Sequence, residues 1–168
     1  MKVVVNWGAK NTSAKYEVVA RDLEGSLQFL MQRGDEWGSF LGDFQYRWSA
    51  DGAGRVQTVT LSPTYTITMP NWRGYRRIAQ ECQNEWDTMW RALERHEDGH
   101  RAIFDQGITT LVSDLNALTS ATGSQIDARM QQARSDIQDA HDAYDTRTDH
   151  GKSQGVELFI PEKCKRNP

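Results

Sequence analysis

With 168 residues, 38% of them hydrophobic and 26% charged, the chain has the composition of a soluble globular domain and can close one core without disulfides or a structural metal. A net charge of −3, with basic residues scattered among acidic ones, excludes a nucleic-acid footprint. No apolar run nears the eighteen or so residues of a membrane span, and Met1–Trp7 lacks the apolar segment of a signal peptide, which leaves a mature form or, by default, a cytoplasmic chain.

The predicted architecture is α+β in one domain over 1–168, with strands and a short helix in 1–70, helices carrying the site in 71–150, and a C-terminal segment in 151–168. Lys2 to Val5 and Tyr16 to Ala20 read as strands around a turn at Gly8 to Ser13. Asp22 can cap a helix whose Leu23, Leu27, Leu30 and Met31 share one face and which ends at Arg33-Gly34. After a Gly38 to Gly42 loop, Phe44, Tyr46 and Trp48 alternate with polar residues at the strand period. Arg55 to Met69 returns as a second β segment, which Ser62-Pro63 should bend or break, giving a small antiparallel meander.

Beyond Pro70-Asn71 the period becomes helical. An apolar stripe runs through Cys82, Trp86, Met89 and Leu93, passes His96 and His100, and continues to Leu118, with an interruption or fresh cap expected near Gln83-Asn84. A second helix should follow the Thr119 to Gly123 loop, capped by Ser124 and Asp127, with Ile126, Met130, Ala133, Ile137, Ala140 and Tyr144 on its inner stripe. Two long helices joined by so short a loop pack antiparallel, which returns the end of the second toward the histidines of the first. Cys82 and Cys164 have the number for one disulfide but no spacing that establishes it; Cys82 reads rather as a small core residue and Cys164 as part of a frayed polar tail over 162–168.

The chemistry is concentrated in His96-Glu97-Asp98-Gly99-His100. Residues four apart on a helix share a face, so both imidazoles can reach one metal ion, and Glu97, roughly 100° around the helix, can approach an attacking water without becoming a ligand. In such sites Zn2+ lowers the pKa of water to about 7 and polarises the scissile carbonyl, while the glutamate moves the proton to the leaving amine. The competing account is a buried hydrogen-bonded histidine pair.

A catalytic zinc takes a third protein ligand. Ile103 and Gln106 stand where a metzincin needs Gly and His, and no glutamate lies between Glu97 and Glu157, which removes the gluzincin arrangement. His141, His150 and several aspartates remain. His150, in Asp149-His150-Gly151 just past the returning helix, is preferred to His141 and Asp145; His141 also reads as an exposed helix histidine. Asp145 and Asp149 are then candidates for holding an imidazole in the correct tautomer. Tyr144 is either an oxyanion donor or a core aromatic with a satisfied hydroxyl.

Together with the first motif, Tyr144-Asp145-x-x-Thr148-x-His150-Gly151-x-x-Gln154-Gly155 resembles a bacterial family of predicted secreted zinc-dependent proteases, also catalogued as a domain of unknown function. The resemblance extends over most of the chain, including the strand around Trp48 and the Met69-Pro70-x-Trp72 junction. It implies a zincin-like fold, His150 as third ligand, Tyr144 near the metal, Gln154 among the polar groups of the site, and a secreted location that the missing signal segment does not match. The expected activity is zinc-dependent hydrolysis of a peptide or protein substrate. A zinc hydrolase of a non-peptide amide or small substrate, or a non-catalytic zinc-stabilised binding module, are the alternatives. The Thr64 to Met69 segment is the candidate edge for an extended peptide.

Overall fold

The sheet is built on one long strand. In the computed structural model, which describes residues 1–8 and 11–165, the strands are β1 (Lys2–Val5), β2 (Asn11–Val18), β3 (Ser39–Ala50) and β4 (Val56–Trp72). All three shorter strands pair with β4. A strand has only two edges, so two of them share one edge of its 17 residues. β1 runs parallel to β4, from Lys2 opposite Thr58 to Val5 opposite Leu61. A parallel pair is a departure from the expected meander. The expected break at Pro63 is also absent: β4 passes through it with Val59, Leu61, Pro63, Tyr65, Ile67 and Met69 all buried at the strand period. Pro63 lies past the end of the β1 register, and its carbonyl still accepts from Gly8, so its missing N–H interrupts little of the ladder. β2 begins earlier than expected, at Asn11. Ala9 and Lys10 of the anticipated turn, and Arg166 to Pro168 of the tail, lie outside the described residues.

The helices are α1 (Leu23–Met31), α2 (Gln80–Ala117) and α3 (Gly123–Thr148). Asp22 caps α1, its carboxylate accepting from the Gly25 N–H at 2.7 Å, and Gly34 turns the chain out at φ 72°. Met31 is 65% exposed and does not share the buried face of Leu23 and Leu30. α2 runs 38 residues without the expected interruption. Gln83 reaches back to the carbonyls of Tyr75 and Ile78, and Asn84 accepts from Gln80, so both polar side chains serve the first turns of the same helix. α3 is capped by Thr122 and Gln125, not by Ser124 and Asp127. The Thr122 N–H donates to Gln125 Oε1 at 2.9 Å, and the Gln125 N–H to the Thr122 hydroxyl at 3.4 Å. Asp127 instead accepts from Tyr46 and Trp48 of β3.

The described residues pack as two compact units, and β2, β3, β4, α2 and α3 contribute to both. The first takes those of Met1–Asn11, Leu41–Thr66 and His100–Ala143, the second those of Thr12–Phe40, Ile67–Gly99 and Tyr144–Pro168. In the first, the β3–β4 turn is tied by Asp51, which accepts from the N–H groups of Ala53 and Arg55. Tyr65 meets Phe104 edge to face, and Ile137 of α3 presses so closely on Gly107 of α2 that a methyl group there would collide. In the second, Val18, Leu23, Leu30, Ile67, Met69, Trp72, Trp86, Met89 and Leu93 form one buried cluster. Cys82 and Cys164 belong to it and are joined as a disulfide with Cα atoms 5.8 Å apart: Cys82 is a core residue as expected, and Cys164 is tied into the core and not part of a frayed tail. α2 supplies the partner surface in each unit, and its histidines lie in the middle of its length.

Candidate metal centre

His96, Glu97 and His100 are 5%, 3% and 8% exposed, an unusual degree of burial for three ionisable groups in one helical turn. Such groups need polar partners, and the two imidazoles have identifiable ones.

Gln154 reaches His96. Its Oε1, which can only accept, stands 3.0 Å from His96 Nδ1, so Nδ1 carries the imidazole proton. The same amide donates through Nε2 to the Tyr144 hydroxyl at 3.0 Å, and that hydroxyl donates to the His96 carbonyl at 3.3 Å. The loop of bonds closes on one residue and fixes both its ring and its tautomer. Tyr144 also stacks on the His96 ring, with centroids 5.1 Å apart and planes 15° from parallel. A side chain at position 99 would collide with the Tyr144 hydroxyl, which explains glycine inside the His-Glu-x-x-His turn.

On the opposite side of the ring, Nε2 faces the Asp145 carboxylate, 3.3 Å from Oδ1. At that separation the two atoms are joined either by a proton, as an imidazolium–carboxylate ion pair, or by a metal cation that both ligate. Ligand atoms about 2.0–2.2 Å from a tetrahedral zinc stand roughly 3.3–3.5 Å from one another, so the observed distance fits two members of one coordination shell. Among the described residues, His96, His100 and Asp145 each offer one ligand atom, and these atoms all lie within 4.8 Å of one another.

Residues 14–151 match the family described as bacterial protein of unknown function (DUF922). The chain belongs to that family. No curated protein and no solved structure matches it.

In this DUF922 chain, the site residues expected from sequence separate into two sets. His96, His100, Glu97, Tyr144, Asp145 and Gln154 come together, with Asp145 as a potential ligand and not only as a partner of one. His150, expected as third ligand, is not in the group. It is exposed, at φ 50°, and lines a separate pocket, while Asp149 is exposed beside it at φ 49°. The physical reason is the turn after α3. Two successive left-handed residues before Gly151 swing position 150 out of line with Tyr144 and Asp145, which are still helical.

His141 has a definite partner. Its Nδ1 lies 2.8 Å from His100 Nδ1, so one ring donates and the other accepts. If His100 is to offer Nε2 to a metal as a neutral ligand, its own proton must be on Nδ1, which makes His100 the donor and His141 the acceptor.

Glu97 is walled in by Gly38. A Cβ at position 38 would stand 2.5 Å from the Glu97 carboxylate oxygen, so any larger residue there would displace the carboxylate. Burial, and after it the negative charges of Asp145 and Glu36, push the Glu97 carboxyl up to about 8. Nothing in the sequence near position 38 marked this contact beyond a glycine in a loop. The roles of Gln154 and Gly99 were equally hidden, because they depend on where a turn brings two distant segments together.

Proposed function

We propose that this chain is a zinc-dependent peptidase of zincin type, with His96, His100 and Asp145 as metal ligands and Glu97 as general base. The observation that carries the reading is the 3.3 Å approach of His96 Nε2 to Asp145 Oδ1, with the His96 proton held on the opposite nitrogen by Gln154. Two nitrogens and one carboxylate suit zinc, and three protein ligands leave the fourth position open, as in a catalytic and not a structural site. When bound, zinc supplies Lewis acidity that activates water and polarises a carbonyl.

The chain's own residues do the rest. Glu97 takes a proton from the attacking water and delivers it to the leaving amine, and its burial against Gly38 keeps the carboxylate out of bulk solvent. Tyr144 acts as a positioning residue: its ring stacks on His96 and its hydroxyl is engaged with the His96 carbonyl and Gln154, so it orients a ligand. His141 does the same for His100. The choice of a peptide substrate draws on the resemblance to predicted zinc proteases. The Cys82–Cys164 disulfide favours an oxidising compartment over the cytoplasm, in keeping with a secreted protein.

The test is direct. The parent protein should carry about one zinc per chain and cleave members of a peptide library. Glu97→Gln should keep the zinc and lose at least about a hundredfold in kcat. Undiminished cleavage by that variant refutes the assigned base, and zinc-loaded parent that leaves every peptide intact refutes the peptidase.

A further inference from the structure

His150 and its pocket remain unexplained by the metal centre. Tyr144, Asp145, Thr148, Gly151 and Gln154 of the same segment all serve His96 or the turn that carries its partners. Asp145 faces the ring nitrogen, Tyr144 stacks on the ring, and Gln154 holds Nδ1. Thr148 donates its hydroxyl to the Tyr144 carbonyl, and Gly151 comes so close to His96 that a Cβ would stand 3.1 Å from its Cγ. His150 instead lines a pocket of about 300 Å³ with Met31, Asp35, Trp37, Lys152 and Val156.

The pocket is linked to the proposed catalytic groups through two chain segments. Trp37 immediately precedes Gly38, which abuts the Glu97 carboxylate, and His150 immediately precedes Gly151, which abuts His96. Two lining residues are therefore chain neighbours of the glycines that pack on the general base and on a metal ligand. Its wall is preformed: the Trp37 indole donates to the Gly34 carbonyl at 3.1 Å, and the Tyr16 hydroxyl to the Trp37 carbonyl at 2.6 Å. The surface offered is apolar, from Met31, Trp37 and Val156. The charges at its rim, Asp35 and Lys152, lie 3.3 Å apart and offset each other. A lone charged side chain would find no counter-ion there that is not already engaged. The volume is at the lower end for ligand sites, which suits one side chain and not a whole small-molecule ligand.

We infer that this pocket is the subsite for one large apolar side chain of the substrate, of phenylalanine, leucine or methionine size, and that His150 contacts the substrate there instead of ligating metal. The inference rests on the peptidase reading. The exposed imidazole in the pocket's lining can donate to a main-chain carbonyl of a bound peptide while the side chain packs between Met31, Trp37 and Val156.

The experiment uses the zinc-loaded full chain. A peptide-library digest should show enrichment of Phe, Leu and Met at one position beside the cleaved bond. For a matched pair of peptides carrying Phe or Gly at that position, Trp37→Ala and His150→Ala should each lower the Phe-to-Gly ratio of kcat/KM at least about tenfold, with zinc content unchanged. In a second readout, the zinc-loaded Glu97→Gln protein should bind the Phe peptide by calorimetry, and adding Trp37→Ala should weaken that binding at least about tenfold. His150 lies on the surface, so its variant tests the idea even if Trp37→Ala does not fold. Cleavage without a preference, an equal loss on both peptides, or zinc lost from His150→Ala overturns the inference and leaves the peptidase standing. Failure of the parent to cleave or bind any peptide removes both.

Discussion

Replacing Gln154 by leucine tests the centre at its most specific joint. Leucine approximates the volume of glutamine but can neither accept from His96 Nδ1 nor donate to the Tyr144 hydroxyl, so two hydrogen bonds of 3.0 Å are lost. The His96 N–H is then stranded in a site where the residue is only 5% exposed, at a cost of about 1–3 kcal/mol to the folded state. The ring is also free to put its proton on Nε2 and donate to Asp145, which removes one ligand from the metal. Loss of such a partner typically lowers metal affinity by about 10–100-fold, or roughly 1.4–2.7 kcal/mol. Zinc affinity is read by competition with a chromophoric chelator, and stability of the metal-free protein by urea unfolding. Gln154→Glu separates the two effects: its carboxylate still accepts from His96 Nδ1 but cannot donate to Tyr144, so it should bind zinc within a few-fold of the parent. If the leucine and glutamate variants lose affinity equally, the tautomer argument is wrong and Gln154 matters only for packing.

Asp145→Ala should lose zinc by elemental analysis after dialysis, while His150→Ala retains it; the reverse result returns His150 to the coordination shell. His141→Leu should weaken zinc binding, and His141→Asn, which keeps an acceptor near the Nδ1 position, should restore much of it; equal affinity in both would mean that the His100 contact is incidental. In the metal-free protein Glu97 holds its proton more tightly when folded, at about 8 against an ordinary 4.5, so its contribution to stability is greatest at low pH and declines as pH rises from about 4.5 to 8. Between pH 5 and pH 8 the parent should lose roughly 3–4 kcal/mol more than Glu97→Gln in urea unfolding, and parallel curves would refute the raised value. Cys82 and Cys164 close a loop of 82 residues, which loop-closure entropy values at about 4.5 kcal/mol. Replacing both by serine should lower the unfolding free energy by several kcal/mol, and a change below about 1 kcal/mol would show that the bridge contributes little to stability.

What could be read from the chain alone were the features set by local periodicity. Asp22 capped α1 because capping needs only a side-chain oxygen and an N–H three residues on. His96 and His100 shared a face because the helix repeat requires it, and the stripe around them carried them into buried positions. The antiparallel return of α3 followed from the short loop and is visible in the pairing of His100 with His141 and of Gly99 with Tyr144. The α+β class and the return of Tyr144 and Asp145 toward the first motif were legible on the same grounds.

Tertiary structure decided what depended on direction after an element ends. Whether Asp145 or His150 approaches His96 turns on two left-handed residues at 149 and 150, whose φ values no periodicity encodes. Ser124 and Asp127 had the spacing of a capping box, but Thr122 and Gln125 form it because Asp127 is claimed by Tyr46 and Trp48 of a distant strand. Pro63 did not break β4, since the cost of a proline depends on which edge its missing N–H faces. The disulfide, the Gly38 wall and the Gln154 clamp are likewise contacts between segments far apart in the chain. Sequence spacing fixes neighbours one turn away; it contains no distance between residues that meet only when the chain folds back.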